Sequence, residues 1–340
     1  MRILMVAGGS GGHIYPCLEL AKYFISKGEV VFLGGNNNSL EEKIYKDNGL
    51  NFIGIDINKK KITSHFKNLK LVKQIYKDNK IDLVILFGNY ISVSFGLGAI
   101  ALKIPVYVHE QNVIYGRANK LLGMKARKVY LSLPIKNDIF SKKSILVGNP
   151  KAESYYKRVN LDKSKCNVII TMGSLGSTTV NKIIKELLKN ISDNGINYHI
   201  VVGKKYYDEF IKNVRKNQNI HIYPYLENLS SYIKECDVFV SRAGATTISE
   251  IIYNEVVSIL IPSPYVKDNH QYLNAKYLEE RDACVLKQEK EINGKILEET
   301  INSLANNKVK KENIKSNLRK MKVSDIKEKI YEDIKNDYKK

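Results

Sequence analysis

Apolar residues fall in short unbroken runs separated by longer amphipathic stretches. In the first half the runs are Arg2 to Val6, Val30 to Leu33, Phe52 to Asp56, Leu83 to Phe87, Val106 to His109, Val129 to Leu131 and Ile145 to Val147. Continuous rather than alternating apolar runs predict parallel strands covered by helices on both faces. The intervening stretches carry helix-ending signals: Gly28, Asn48-Gly49, and Gly123 after the stretch from Arg117 to Leu122. The pattern is a βα repeat, which predicts a doubly wound sheet.

Between residues 148 and 166, "GNPKAESYYKRVNLDKSKC", the pattern lapses into a charged, Pro-bearing linker. The βα rhythm then resumes, with strands expected near 167–172, 198–202, 220–223, 237–241, 257–261 and 283–286. The expected fold is α/β, with two Rossmann-like domains, 1–148 and 149–319, whose parallel sheets face each other across a cleft. From Asn307 onward, Ile314, Leu318, Met321, Ile326, Ile330 and Ile334 recur at near-helical spacing. One or two basic-faced terminal helices follow, and the last, about 320–340, is expected to pack back onto the first domain.

At 340 residues the chain exceeds one ordinary core, in agreement with two domains. Fifty-five Lys and Arg against 35 Asp and Glu leave a net charge of +20. That balance suits nucleic acid, an anionic membrane or phosphorylated substrates, and equally a surface that is simply rich in lysine. No RNP-type aromatic strand, zinc-finger spacing or recognition helix is present, so nucleic acid is set aside. Cys17, Cys166, Cys236 and Cys284 form no Cys-x-x-Cys pair and read as buried thiols in a reducing compartment. The first residues read as a strand rather than a signal, and nowhere do eighteen apolar residues run together. The expected location is cytoplasmic, without a transmembrane segment.

Three segments bear chemistry. "AGGSGGHIYP", residues 7–16, puts four glycines after the first strand, where backbone N–H groups and a helix end favour phosphate. The second strand ends "VVFLGGNNN", without the acid that would hold a ribose, and no Walker lysine follows the glycines. A phosphate loop and a plain tight turn both remain open. "CDVFVSRAGATTISEIIYNEV", residues 236–256, leads a buried strand through Arg242 and Gly244 into a helix that carries Glu250. Its small residues admit a diphosphate, and Glu250 either accepts from a ribose diol or merely flanks the helix start. "IPSPYVKDNHQYLNAKYL", residues 261–278, gathers Asp268, Asn269, His270 and Gln271, which suit sugar hydroxyls.

The ordered set "GGSGGHIYP", "HEQNVIYGRANK", "VGNP", "MGSLGS", "SRAGATTISEI" and "DNHQYLNA", spread over residues 1 to about 285, resembles the MurG family. The resemblance implies a GT-B inverting glycosyltransferase. Such an enzyme moves N-acetylglucosamine from UDP-N-acetylglucosamine to the muramoyl 4-hydroxyl of undecaprenyl-linked lipid I, giving lipid II for the cell wall. On the donor side it implies Ser174, Arg242, Gly244, Ala245, Thr246 and Thr247 at the diphosphate and sugar. It further implies Glu250 at the ribose, Tyr225 and Leu226 at the uracil, Gln271 at the sugar, and Asn112 reaching the sugar from the other domain. On the acceptor side it implies Ser10, Gly11 and Gly12 at the lipid diphosphate, with Gly88 and Tyr90 in the same pocket.

The first candidate for general base is His13 and the second Glu110. With no Asp-x-Asp in the chain, no metal or other cofactor is expected, and the helix start at Gly244 to Thr247 takes the charge of departing UDP. The implied partners are the two substrates, an anionic membrane surface at the cytoplasmic face, and other cell-wall synthesis proteins. The segment 59–80 has eight Lys interleaved with Ile62, Phe66, Leu69, Val72 and Tyr76, which suits peripheral membrane contact or a solvated helix face. Against the family pattern, Ala152 stands for an Arg, Leu175 for a Gln, and Asn89 for a Gly. The missing Arg predicts weaker donor binding. Two other readings stay open: transfer to another lipid such as diacylglycerol, and a non-catalytic membrane-associated paralogue.

Overall fold

The computed structural model describes every residue except 58–66, 155–156, 174–175, 192–194, 213, 216, 227 and 340. The chain forms two compact units, Met1–Ser154 with Val323–Lys340, and Tyr155–Lys322.

In the first unit β1 (Arg2–Val6), β2 (Val30–Asn36), β3 (Phe52–Ile55), β4 (Leu83–Leu86), β5 (Val106–Glu110), β6 (Lys128–Leu131) and β7 (Ser144–Leu146) form one parallel sheet. Its order is β3-β2-β1-β4-β5-β6-β7. The helices are α1 (Gly11–Ser26), α2 (Leu40–Asp47), α3 (Leu69–Asp78), α4 (Asn89–Ala101) and α5 (Arg117–Gly123). The chain winds outward from β1 to β3, then returns to β4 and winds the other way. Loops leaving β1 and β4 therefore diverge and leave a crevice at the carboxyl ends of those strands.

Strand β1 from Ile3 on and all of β4 are interior because nothing in Ile3–Val6 or Leu83–Leu86 competes for water; all eight residues have 0% exposure. Helix α4 buries Ile91, Phe95 and Ala99, and α3 packs beside it through Val72 and Tyr76, whose hydroxyl donates to Phe95 O at 2.5 Å. Val72 and Tyr76 are therefore core residues, not part of a membrane stripe. Leu71 is the apolar side chain that α3 exposes, and Ile62 and Phe66 lie outside the described residues.

The second unit repeats the scheme with β8 (Cys166–Thr171), β9 (Ile196–Val201), β10 (Ile220–Tyr223), β11 (Val238–Ser241), β12 (Ser258–Leu260) and β13 (Val285–Leu286). Its all-parallel order is β10-β9-β8-β11-β12-β13, so the switch point falls between β8 and β11. Its helices are α6 (Thr178–Asn190), α7 (Tyr207–Ile211), α8 (Leu229–Glu235), α9 (Ala245–Asn254), α10 (His270–Glu279), α11 (Gly294–Ala305) and α12 (Lys308–Met321).

The last helix, α13 (Ile326–Tyr338), belongs to the first unit. It buries Ile326, Ile330 and Ile334, and Asp333 binds Lys128 Nζ at 2.6 Å and accepts from the Tyr130 hydroxyl at 2.8 Å. Glu153 accepts from the first-turn N–H groups of Ile326 and Lys327, where a carboxylate also favours the helix dipole.

Two details differ from the sequence reading. Helix α1 starts at Gly11, so Gly11, Gly12 and His13 form its first turn and are not loop. Gly123 lies inside α5, and what it needs is space: a Cβ there would come 2.4 Å from Phe140. All four cysteines are free, with Cys17 and Cys284 buried and Cys166 and Cys236 half-buried.

Candidate active site

Most residues singled out from the sequence lie at or after strand exits: Ser10 to His13, Gly88 and Tyr90 beside the β1–β4 switch point, Arg242 to Glu250 after β11 at the second, and Glu110, Asn112, Tyr225, Leu226 and Gln271 at or after the ends of other strands. In the first unit, β1 leads through Ala7–Ser10 into α1, whose N-cap Ser10 is extended and makes no side-chain cap. A helix start presents backbone N–H groups to an anion; His13 N is already turned to Ser10 O at 3.1 Å. The β4 exit lies against it. Gly88 has φ +95°, and a Cβ on it would stand 3.4 Å from His13 Cε1. Asn89 holds φ +69°, tolerable for asparagine, and its side-chain nitrogen donates to Gly8 O at 2.9 Å. The departure from glycine thus becomes a strap between the two exits. Gly9, beneath that strap, holds φ +85°, where an L side chain is strained, and a Cβ there would also meet Asn89 Nδ2 at 2.0 Å. Tyr90 packs against the hydrophobic core, and burial, with the charge of Glu41 behind it, raises its pKa.

Glu41, which the sequence reading passed over, is 2% exposed and accepts from Gly9 N at 3.4 Å and Asn36 N at 3.3 Å. In sequence it is one of two acids opening α2, and only the return of β2 alongside β1 brings it under the glycine loop.

His13 is half-buried, and its Nδ1 lies 2.9 Å from Gln111 Oε1. Glu110, at the end of β5, is 1% exposed and fully occupied. Its Oε1 accepts from Gln111 N, Asn112 N and Asn112 Nδ2 at 2.9, 3.0 and 3.2 Å. Its Oε2 accepts from Gly116 N and Asn119 Nδ2 at 2.9 and 2.8 Å. A carboxylate stabilised by five donors holds the 111–119 loop in shape; to take a substrate proton it would have to give up part of that loop. Asn112 is one of the groups it fixes. Ala152, where the family pattern has an arginine, is 2% exposed in the turn Pro150–Glu153, so a guanidinium there would displace buried neighbours.

In the second unit Arg242 follows β11 and is held on three sides. It pairs with Glu289 at 2.6 Å, donates to Ser177 Oγ at 2.9 Å, and donates to Ile261 O at 3.1 Å. Ser177 also caps α6 by accepting from Val180 N. These groups edge a pocket of about 420 Å³ lined by Ser177, Thr178, Tyr206, Arg242, Ser263 and Gln271. Gln271 Oε1 accepts from Ser263 N at 2.9 Å, which ties the β12 exit to α10.

Helix α9 opens at Gly244 with no side-chain cap. Gly244, Thr246 and Thr247 are part-exposed, and Ala245 is buried. Glu250, two turns in, is 7% exposed and accepts from Ser230 Oγ on α8 at 2.6 Å. That serine is four residues after Leu226, in the first turn of α8. Tyr225 is exposed with the Lys204 ammonium 5.2 Å from its ring centre, and Leu226 is half-buried. Ser174 and Leu175 lie outside the described residues.

Sequence reasoning missed His109, Gln111, Ser230 and Glu289. The first two stand in the quoted "HEQN", but nothing local in that string says which of the four reaches His13. Glu289 is 47 residues from Arg242, with no motif to join them.

The chain matches the glycosyltransferase family 28 N-terminal domain over residues 3–131 and the glycosyltransferase family 28 C-terminal domain over residues 167–330. A UDP-N-acetylglucosamine--N-acetylmuramyl-(pentapeptide) pyrophosphoryl-undecaprenol N-acetylglucosamine transferase of Bacillus pumilus is 33% identical over 97% of this chain and 98% of its own length. The transferase of the same name from Leuconostoc citreum is 31% identical over 98% and 97%. In fold, the crystal structure of Acinetobacter baumannii MurG superposes with a TM-score of 0.82 at 24% identity, covering 98% of this chain and 99% of that one. With a family 28 domain in each half and relatives above 30% identity over nearly its whole length, the chain belongs to glycosyltransferase family 28, among its MurG members.

Proposed function

We infer that this glycosyltransferase moves N-acetylglucosamine from UDP-N-acetylglucosamine to the 4-hydroxyl of the muramoyl sugar of undecaprenyl-linked lipid I, giving lipid II. The observation that carries the reading is the pairing of two uncapped helix starts at two switch points, one beside a histidine and one beside a buried glutamate. A substrate pair with a diphosphate on each member asks for two such anion sites.

In the second unit the start of α9 stabilises the charge that builds on UDP as the glycosidic bond breaks. Arg242 shares its charge with Glu289, so it shapes the pocket more than it neutralises the leaving group. Glu250 accepts from the ribose diol, and Tyr225 offers its face to the uracil. In the first unit Gly9 N already has Glu41, and the acceptor diphosphate lies at Ser10, Gly11 and Gly12, the N-cap and first two residues of α1. His13 then takes the proton of the attacking hydroxyl.

Peripheral membrane contact fits the lipid acceptor. Met124 and Ile139 are 61% and 58% exposed on either side of the Gly123–Phe140 contact, with Leu121, Lys120, Lys125, Lys136 and Lys142 exposed around them. No described helix is long and apolar enough to cross a membrane. The test offers UDP-N-acetylglucosamine with a lipid I analogue and, separately, with diacylglycerol. Transfer to the first alone is expected; transfer only to diacylglycerol, or to neither where a relative works, overturns the reading. Co-sedimentation with anionic vesicles should weaken on Met124→Glu with Ile139→Glu, and unchanged binding moves the membrane face elsewhere.

A further inference from the structure

Protons along the chain His109, Gln111, His13 are fixed by two backbone carbonyls, because a carbonyl accepts and never donates. Gly148 O lies 3.1 Å from His109 Nε2, so that nitrogen carries the proton. His109 is fully buried, and burial pushes its pKa down to about 4 against the opposing pull of the Gly148 hydrogen bond. At neutral pH its Nδ1 is therefore a lone pair. Gln111 Nε2 stands 3.0 Å from His109 O and 3.1 Å from His109 Nδ1, two acceptors for its two hydrogens. That settles which way the amide faces, and its oxygen lies 2.9 Å from His13 Nδ1. An amide oxygen only accepts, so His13 holds its proton on Nδ1 and, when neutral, its lone pair on Nε2.

We propose that Gln111 is a positioning residue that locks His13 in its Nδ1-protonated form and so turns the basic Nε2 toward the acceptor hydroxyl. The inference rests on His13 as the general base. As the muramoyl oxygen bonds to the anomeric carbon, its proton passes to His13 Nε2. The bond from that carbon to the UDP oxygen breaks, and its electron pair leaves on UDP. The imidazolium then carries both protons, with Nδ1–H still donated to Gln111. Gln111 itself is 1% exposed and acts through His13.

The test pairs histidine nitrogen NMR with kinetics on the full chain, the His13 signal being assigned by its loss in His13→Ala. In the unaltered protein above neutral pH, His13 should show a protonated Nδ1 and a bare Nε2. Gln111→Met, close in shape but without the acceptor, should return His13 toward the Nε2-protonated form that ordinary imidazole prefers. Its kcat should fall about 10- to 100-fold with the donor KM held within threefold. Gln111→Glu retains an acceptor and should keep the Nδ1-protonated form. A bare Nδ1 in the unaltered protein overturns the proposal, and this measurement needs no variant to fold. A folded Gln111→Met that keeps its kcat also overturns it. If His13→Ala keeps its kcat, the base assignment fails instead; if His13→Ala is inactive while Gln111→Met is unimpaired, the base stands and the lock falls.

Discussion

The first six strands of one unit, β3-β2-β1-β4-β5-β6, and the six of the other, β10-β9-β8-β11-β12-β13, share one order and open a helix at each switch point, yet different contacts stand beside those openings. In the first, hydrogen bonds run from His13 through Gln111 and His109 to Gly148 O. In the second, an ion pair between Arg242 and Glu289, with side chains 11% and 7% exposed, edges the pocket. A chain of hydrogen bonds fixes where protons lie. An ion pair fixes a guanidinium while cancelling most of its field. The topology sets where a ligand binds, and the residues packed behind the strand exits set what is done to it.

The sharpest test of this contrast separates the parameters each half controls. His13→Ala should lower kcat by about 10²- to 10⁴-fold and leave the donor KM nearly unchanged. Glu250→Ala should act the other way, raising the donor KM by about 5- to 150-fold for the loss of about 1 to 3 kcal/mol of hydrogen bonding. Initial-rate kinetics on both variants check this; the same parameter moving in both would merge the two roles.

The braces should fail with different severity. Glu289→Ala leaves Arg242 buried without its partner and should cost about 3 to 5 kcal/mol in denaturant unfolding, while Glu289→Leu with Arg242→Met together should recover much of that loss. A double variant no better than the single would show that Ser177 and Ile261 O matter more than the pair.

Acid should weaken both units. Burial pushes His109 in the first unit, and His199 in the second, down to about 4. The ordinary histidine value is near 6.5, so between there and about 4 the unfolded chain binds protons that the folded chain refuses. Their contribution is whole above about pH 6.5 and is lost as pH falls toward 4. For His109 the loss is on the order of 2 kcal/mol at pH 5. Melting temperatures at pH 7.5 and 5 should differ less in His199→Asn than in the unaltered protein, and an unchanged difference would remove His199 from the account.

The smallest effect belongs to the strap. Asn89→Gly gives up one hydrogen bond to Gly8 O, about 0.5 to 1.5 kcal/mol, and relieves a left-handed asparagine. Its net stability change should be under about 1 kcal/mol, read by denaturant midpoint. A larger loss would make the strap a main brace of the glycine turn.

Strand positions were legible because an unbroken apolar run buried on both faces has few other solutions. Glycine misled the reading at two ends. Strand β2 continues past Leu33 to Asn36, since Gly35 and Asn36 pair with Gly54 and Ile55 on β3, a register invisible from β2 alone. Helix α1 begins two glycines early, because a first turn is held by the backbone that follows it rather than by its own side chains. The stripe at 59–80 misled for another reason: periodicity marks a buried face without saying whether lipid or protein buries it, and α4 is what buries Val72 and Tyr76.

By itself the sequence determined two βα halves, the strand exits that hold the chemistry, and the ordered motifs that mark the family. Each is written in residues close together along the chain. Tertiary structure alone decided that Glu110 is saturated by the loop it shapes and that Arg242 faces Glu289. It alone decided that Gln111, not its neighbours in "HEQN", reaches His13. Hydrogen-bond valence is spent across strands and loops far apart in sequence, so a motif can name a polar group but cannot say whether the fold has already occupied it.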